Sequence, residues 1–304
     1  MTGSGNKTFC AQTGGLARAA RRYRLLLFVQ PLFKRWAHPD SVVFPAVFAL
    51  LCGLTCIITH AQTYTRPDGR RSGFEFMSPS TQAMQRDDTQ NPGMLWVKDG
   101  EALWMQKVGQ GAGQSEKACA TCHAVAASSM RGVAARYPAI DELTQRPVTL
   151  SQRINLCRQN HQQAQALPPE SQDLLSLESW VAYQSRGLPV TPPADLRLEP
   201  FTQRGQQLYS RRLGQLNLSC AQCHDALAGE RLGSSPIPQA HPTGYPVYRL
   251  EWQGMGSLQR RLRNCMTGVR AEPYAFGAPE MVELELYLAS RARGMALEAP
   301  GVRP

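Results

Sequence analysis

The chain has 304 residues, with 33 Lys and Arg against 23 Asp and Glu, a net charge of +10 and nine cysteines. The excess charge sits at the N-terminus: the first sixty residues hold seven bases and one acid, so the remaining chain, about 243 residues, carries about +4. The high pI is therefore no sign of a nucleic-acid partner, and the remaining chain is long enough for two small domains.

Residues 1–61 read as a signal peptide. The bases Lys7, Arg18, Arg21, Arg22, Arg24, Lys34 and Arg35 precede the apolar run VVFPAVFALLCGLTCII, and Thr59-His60-Ala61 offers a small-residue site with cleavage after Ala61. An uncleaved anchor is the alternative, because the run approaches spanning length. Export places the rest in the periplasm, where idle exposed thiols are disfavoured. Residues 62–95, polar and rich in Pro, Ser and Gln, suggest an extended N-terminal arm that wraps another surface.

The chain then reads twice. Gly100–Gly109 resembles Gly205–Gly214, with apolar residues at helical spacing in each (Leu103, Trp104 and Val108; Leu208, Tyr209 and Leu213). Each of these helices leads into a pentapeptide, CATCH (Cys119, Cys122, His123) or CAQCH (Cys220, Cys223, His224). A Pro/Gly-rich loop, a cysteine segment (SQRINLCR with Cys157; LQRRLRNCM with Cys265) and a closing helix follow in both. Cys157 precedes Gly187 by 30 residues and Cys265 precedes Gly294 by 29, and both glycines read as helix C-caps. The expected fold is mostly α, a tandem of two cytochrome c-like domains at 96–188 and 201–304, joined by a proline-stiffened linker at 189–200.

CxxCH is the attachment signature of haem c: two thiols add across the vinyl groups and the histidine becomes the proximal ligand. Two motifs predict two covalently bound haem c groups. Zinc is the rival, since the motifs could supply four thiolates, but they lie about a hundred residues apart and each carries a histidine that a zinc ribbon does not need. A thioredoxin-type CxxC would sit in a βαβ pattern, which surrounds neither copy.

Each iron needs a sixth ligand or an open site. Met130, Met255, Met266 and Met281 are available, but none recurs at matching places in both halves, and methionine commonly fills core gaps. No lysine follows Lys117, and His161 and His241 read as surface or loop residues. Cys157 and Cys265 do recur, which favours both as distal metal ligands; a disulfide between them is the rival. Arg261 lies four residues before Cys265, on the same helix face, where a guanidinium would favour thiolate and bind an oxyanion such as thiosulfate or sulfite. Arg260 and Arg263 read as a solvated basic face. Cys157 has only Arg153 and Arg158 nearby, which suggests that the second haem site is the reactive one.

From residue 95 to 296, and most specifically over Arg260–Met295, the sequence resembles SoxA, the diheme subunit of the SoxAX cytochromes of bacterial sulfur oxidation. The resemblance implies a periplasmic L-cysteine S-thiosulfotransferase paired with a small monohaem cytochrome, SoxX. Such a complex joins thiosulfate oxidatively to a cysteine of the sulfur carrier SoxYZ and passes electrons to a c-type cytochrome. The family's active-site cysteine, a haem ligand found as a persulfide, matches Cys265; its substrate-binding arginine matches Arg261, and Arg291 matches a second. Two alternatives stay open: a thiosulfate dehydrogenase forming tetrathionate, and a simple diheme electron carrier.

Overall fold

The helical periodicity of the two halves becomes two pairs of crossed helices. The computed structural model describes residues 68–108 and 117–304; the expected signal peptide and its cleavage site lie outside the described residues. The helices in chain order are α1 (Pro79–Arg86), α2 (Gly93–Met105), α3 (Cys119–His123), α4 (Ala126–Ser129), α5 (Leu150–Gln162), α6 (Gln172–Tyr183), α7 (Glu199–Ser210), α8 (Cys220–His224), α9 (Leu258–Gly268) and α10 (Pro279–Arg291). The strands are short: β1 (Ala139–Asp141), β2 (Arg146–Val148), β3 (Arg231–Leu232), β4 (Ser235–Pro236), β5 (Val247–Arg249), β6 (Gly254–Gly256) and β7 (Gly301–Arg303). The mostly helical fold expected from the sequence is the one observed.

A glycine sets each crossing. At Gly100 on α2 a Cβ would lie 2.1 Å from Ser176 O on α6, and at Gly205 on α7 it would lie 2.1 Å from Glu283 O on α10. One turn further on, Trp104 and Tyr209 are buried, 5 % and 2 % exposed. The helices end earlier than the apolar spacing suggests, at Met105 and Ser210. Val108 and Leu213 instead form isolated bridges to Lys117 and Leu218.

After each motif the chain makes a hairpin: β1 pairs with β2, and β5 with β6. The next residue caps a cysteine-bearing helix, Thr149 accepting from Gln152 N and Ser257 from Arg260 N. Strand β7 adds to β5 in parallel, which makes the second sheet three-stranded.

The described residues form one body, and the repeats are joined by an exchange of backbone hydrogen bonds about an approximate two-fold. Gly187 N donates to Leu297 O and Gly294 N to Val190 O, both at 2.8 Å; Val190 N donates to Met295 O and Leu297 N to Leu188 O. Pro189 and Ala296 pair between them. Gly187 and Gly294 have φ of +82° and +80°, which glycine adopts without the steric penalty of a Cβ. The expected linker is thus part of the core rather than a spacer: Val190 is buried with Ala182, Met295 and Leu297, and α7 already begins at Glu199.

The expected extended arm also needs correcting. Residues 73–76 form a 3-10 turn, 79–86 are helical, and α2 starts at Gly93. The segment does wrap the second repeat. Arg70 Nη1 donates to Arg291 O at 2.9 Å, and Gln85 Oε1 accepts from Val302 N at 2.9 Å.

Candidate active site at the second haem motif

In each motif, the residue just before the second cysteine closes the turn that presents the two thiols. Ala118 N donates to Thr121 Oγ1 at 3.0 Å, and Ser219 N to Gln222 Oε1 at 2.9 Å, so these side chains satisfy a donor that the helix start leaves free. His224 follows with its Nδ1–H donating to Pro238 O at 2.7 Å, which orients the ring and leaves Nε2 for a metal. His123 packs on Trp104, ring centroids 5.7 Å apart. His123 and Cys122 are exposed, whereas Cys223 and His224 are half-buried.

Helices α5 and α9 carry Cys157 and Cys265 eight residues beyond their caps, so the two sulfurs hold equivalent places. Cys157 lies within electrostatic range of Cys119 and Cys122, and Cys265 within range of Cys220 and His224. Each therefore faces its own motif. All six described cysteines are free, so no Cys157–Cys265 disulfide forms. Met255, Met266 and Met281 are buried core residues, while Met130 packs at the edge of the cluster around Trp104. His161 is exposed. His241 is a loop residue but a buried one, with Nδ1 bonded to Arg71 O at 2.7 Å.

The sites differ in charge. Burial pushes the Cys157 thiol up, and Arg153 only partly offsets it. Burial also works against the Cys265 thiolate, but a hydrogen bond from His224 and the guanidiniums of Arg261 and Arg249 outweigh it, so this thiol lies below its ordinary value. One cleft is lined by Cys265, His224, Arg261, Arg249, Tyr245 and Arg303. In the first repeat Arg153 is tied to Asp141 at 2.8 Å, whereas Arg261 makes no ion pair among the described residues.

The neighbouring arginines are held elsewhere by protein groups and are not simply solvated. Arg260 stacks over Trp252 at 4.1 Å and donates to Met255 O at 3.2 Å. Arg263 lies over Phe276 at 4.7 Å and donates to Tyr274 O. Arg291 is not in the cleft with Cys265. It pairs with Asp225 at 2.6 Å, stacks over Tyr209 and lines a separate pocket with Gln239. The structure thus brings Cys265, His224 and Arg261 together in one cleft and sets Arg291 in a neighbouring pocket that His224 also lines. Local spacing does not single out Arg249 and Arg303, because they reach the cleft from strands β5 and β7 and not from the cysteine-bearing helix; the repeat register, which sets Arg249 against Asp141, is the available signal for the first.

These residues fit haem c. In both motifs paired thiols precede a histidine, the His224 ring is held by Pro238 O, and a cysteine stands across from each motif. The fold and site define a tandem c-type cytochrome whose second cleft combines a cysteine with an unpaired arginine. The profile of the SoxA/TsdA cytochrome c domain matches residues 99–190 and again 204–297. The L-cysteine S-thiosulfotransferase subunit SoxA of Rhodovulum sulfidophilum is 36 % identical over 245 residues, covering 81 % of this chain and 84 % of that protein. The subunit of the same name from Paracoccus pantotrophus is 33 % identical, covering 76 % and 78 %. The crystal structure of SoxXA from P. pantotrophus superposes with a TM-score of 0.73 at 33 % identity, covering 77 % of this chain and 87 % of that one. The chain belongs to the SoxA family of the SoxA/TsdA cytochrome c domains.

Proposed function

We propose that the protein is a periplasmic diheme cytochrome c acting as an L-cysteine S-thiosulfotransferase. In this reading it pairs with a SoxX-type monohaem cytochrome and couples thiosulfate to a cysteine of a SoxYZ-type carrier. The observation that carries the reading is the Cys265 thiol facing His224 in a cleft with the unpaired guanidinium of Arg261. The relatives' names supply the reaction class, and the two CxxCH helices supply attachment points for two haems.

Arg261 binds the oxyanion end of thiosulfate by charge-assisted hydrogen bonds and sets the outer sulfur toward Cys265. Cys265 thiolate and thiosulfate join as a Cys265–S–S–SO3 group with loss of two electrons. The carrier thiolate then attacks the sulfur bearing the sulfonate; the new carrier–sulfur bond forms as Cys265 leaves as thiolate, which the cleft's positive charge favours. Haem c at the two motifs would accept the two electrons one at a time for delivery to a c-type acceptor.

A simple electron carrier would call for methionine ligation, and the second repeat's methionines Met255, Met266, Met281 and Met295 are committed to the core. The test is anaerobic mixing of the purified complex with the carrier protein, thiosulfate and oxidised cytochrome c. The account expects one thiosulfonate adduct on the carrier cysteine for every two electrons received by the cytochrome. Cytochrome reduction accompanied by tetrathionate and an unmodified carrier would favour a thiosulfate dehydrogenase instead.

A further inference from the structure

The two repeats differ in charge at one matched position of their hairpins. Asp141 ends β1 and Arg249 ends β5, at the same register of equivalent hairpins. Arg153 and Arg261 each stand four residues past their helix cap and four before the cysteine. In the first repeat the pair is complementary, Arg153 to Asp141 at 2.8 Å with the Asp141 side chain 8 % exposed. In the second, both counterparts are arginines, and they line one cleft with Cys265.

Arg249 is 12 % exposed, and its one ionic partner among the described residues is Glu251 at 3.0 Å, a rim carboxylate that is 53 % exposed. Its Nε is buried with no hydrogen-bond partner. The third guanidinium of the cleft is already engaged, Arg303 by Gln85 at 2.5 Å and by Glu298 at 3.4 Å. Two like charges in a partly desolvated cleft, one with a buried unpaired donor, leave an electrostatic cost that a bound anion relieves.

We propose that Arg249 and Arg261 form a two-armed anion clamp that holds the sulfonate end of thiosulfate beside Cys265, and that the exchange of Asp141 for Arg249 between the repeats confines this binding to the second one. A sulfonate presents three oxygens to two planar forks, so the clamp fixes orientation as well as affinity and leaves the outer sulfur free to meet Cys265. The identity of the anion rests on the functional reading above; the clamp rests on the geometry alone.

The experiment uses the haem-loaded complex, with sulfate as a binding probe and thiosulfate as substrate. Variants are Arg249→Gln, Arg249→Lys and Arg249→Asp, the last reproducing the complementary pair of the first repeat, and Arg260→Gln serves as a control outside the cleft. Arg249→Gln should weaken sulfate binding and raise the thiosulfate KM roughly 10- to 100-fold, the loss expected for one charge-assisted contact, with kcat little changed. Arg249→Lys should fall between it and wild type, and Arg249→Asp should abolish sulfate binding. Haem absorption and paramagnetic resonance spectra should stay as in wild type throughout. Sulfate binding that is unchanged in the Gln and Asp variants would overturn the clamp. So would a shift in haem spectra with KM unaltered, which would assign Arg249 to the haem carboxylates. Arg249-dependent sulfate binding without thiosulfate turnover in the wild type would sink the functional reading and leave the clamp standing.

Discussion

Glu178 and Glu285 hold matching places on α6 and α10 and face one cavity of about 390 Å³ between the repeats. Glu170 also lines it, and the lining residues include no Lys, Arg or His. Glu178 Oε2 is buried without a hydrogen-bond partner, while Gln259 bonds Glu285. Burial, reinforced by the neighbouring carboxylates, pushes Glu178 up to about 8; burial, with Glu170 adding to it, pushes Glu285 up to about 7.

The sign of the pH dependence follows. Both carboxyls bind their protons more tightly folded than unfolded, so their contribution to stability is complete below the ordinary value of 4.5. It is lost as pH rises through 7 and 8, by up to about 1.4 kcal/mol per pH unit for each group. Glu178→Gln removes one of these losses. Its thermal midpoint should match wild type near pH 4.5 and exceed it clearly at pH 9; equal midpoints at pH 9 would contradict the buried pair.

The helix crossings give a second prediction. Gly100→Ala and Gly205→Ala would each drive a Cβ to 2.1 Å from a carbonyl oxygen of the closing helix, so the helices must separate. Each should cost about 3 kcal/mol, at the upper end of overpacking penalties, read as a lower denaturant midpoint. Gly187→Ala meets open space and only a φ of +82°, so about 1–2 kcal/mol is expected there.

Much of this arrangement is legible in the sequence because the motifs are local and the register repeats. CATCH and CAQCH, Cys157 and Cys265, the closing glycines and the same-face placement of Arg261 each depend on a few residues along one helix. The hairpins β1–β2 and β5–β6 were not legible, since three-residue strands show too little alternation to stand out. Spacing along α10 does not say which pocket Arg291 meets: paired with Asp225, it lines a pocket with His224 and not the cleft of Cys265. The helix sequence alone leaves Arg260 and Arg263 on a solvated face, because their partners, Trp252 and Phe276, come from separate loops. The arm's polarity suggests an extended segment, yet Gln85 and Arg70 fasten it to the second repeat through bonds more than two hundred residues apart in sequence.

Equivalent sulfurs facing their own motifs predict histidine–thiolate ligation at both irons. Oxidised protein should show two low-spin paramagnetic resonance components, and Cys157→Ser should alter one of them alone. A near-infrared band of histidine–methionine ligation at either site would contradict the assignment. Arg153, neutralised by Asp141, gives the first site no comparable hold on an anion, so thiosulfate should perturb only the component that Cys265→Ser abolishes.

The central claim is that the chemistry belongs to Cys265 and not to its equivalent in the first repeat. Its direct test is the rate of thiosulfate-dependent carrier modification by Cys265→Ser and Cys157→Ser complexes, each first shown by mass to carry two haems. The account predicts that Cys265→Ser loses turnover, while Cys157→Ser keeps it and changes only the spectrum and potential of the first haem. Full activity in Cys265→Ser would contradict the account and make the chain an electron conduit.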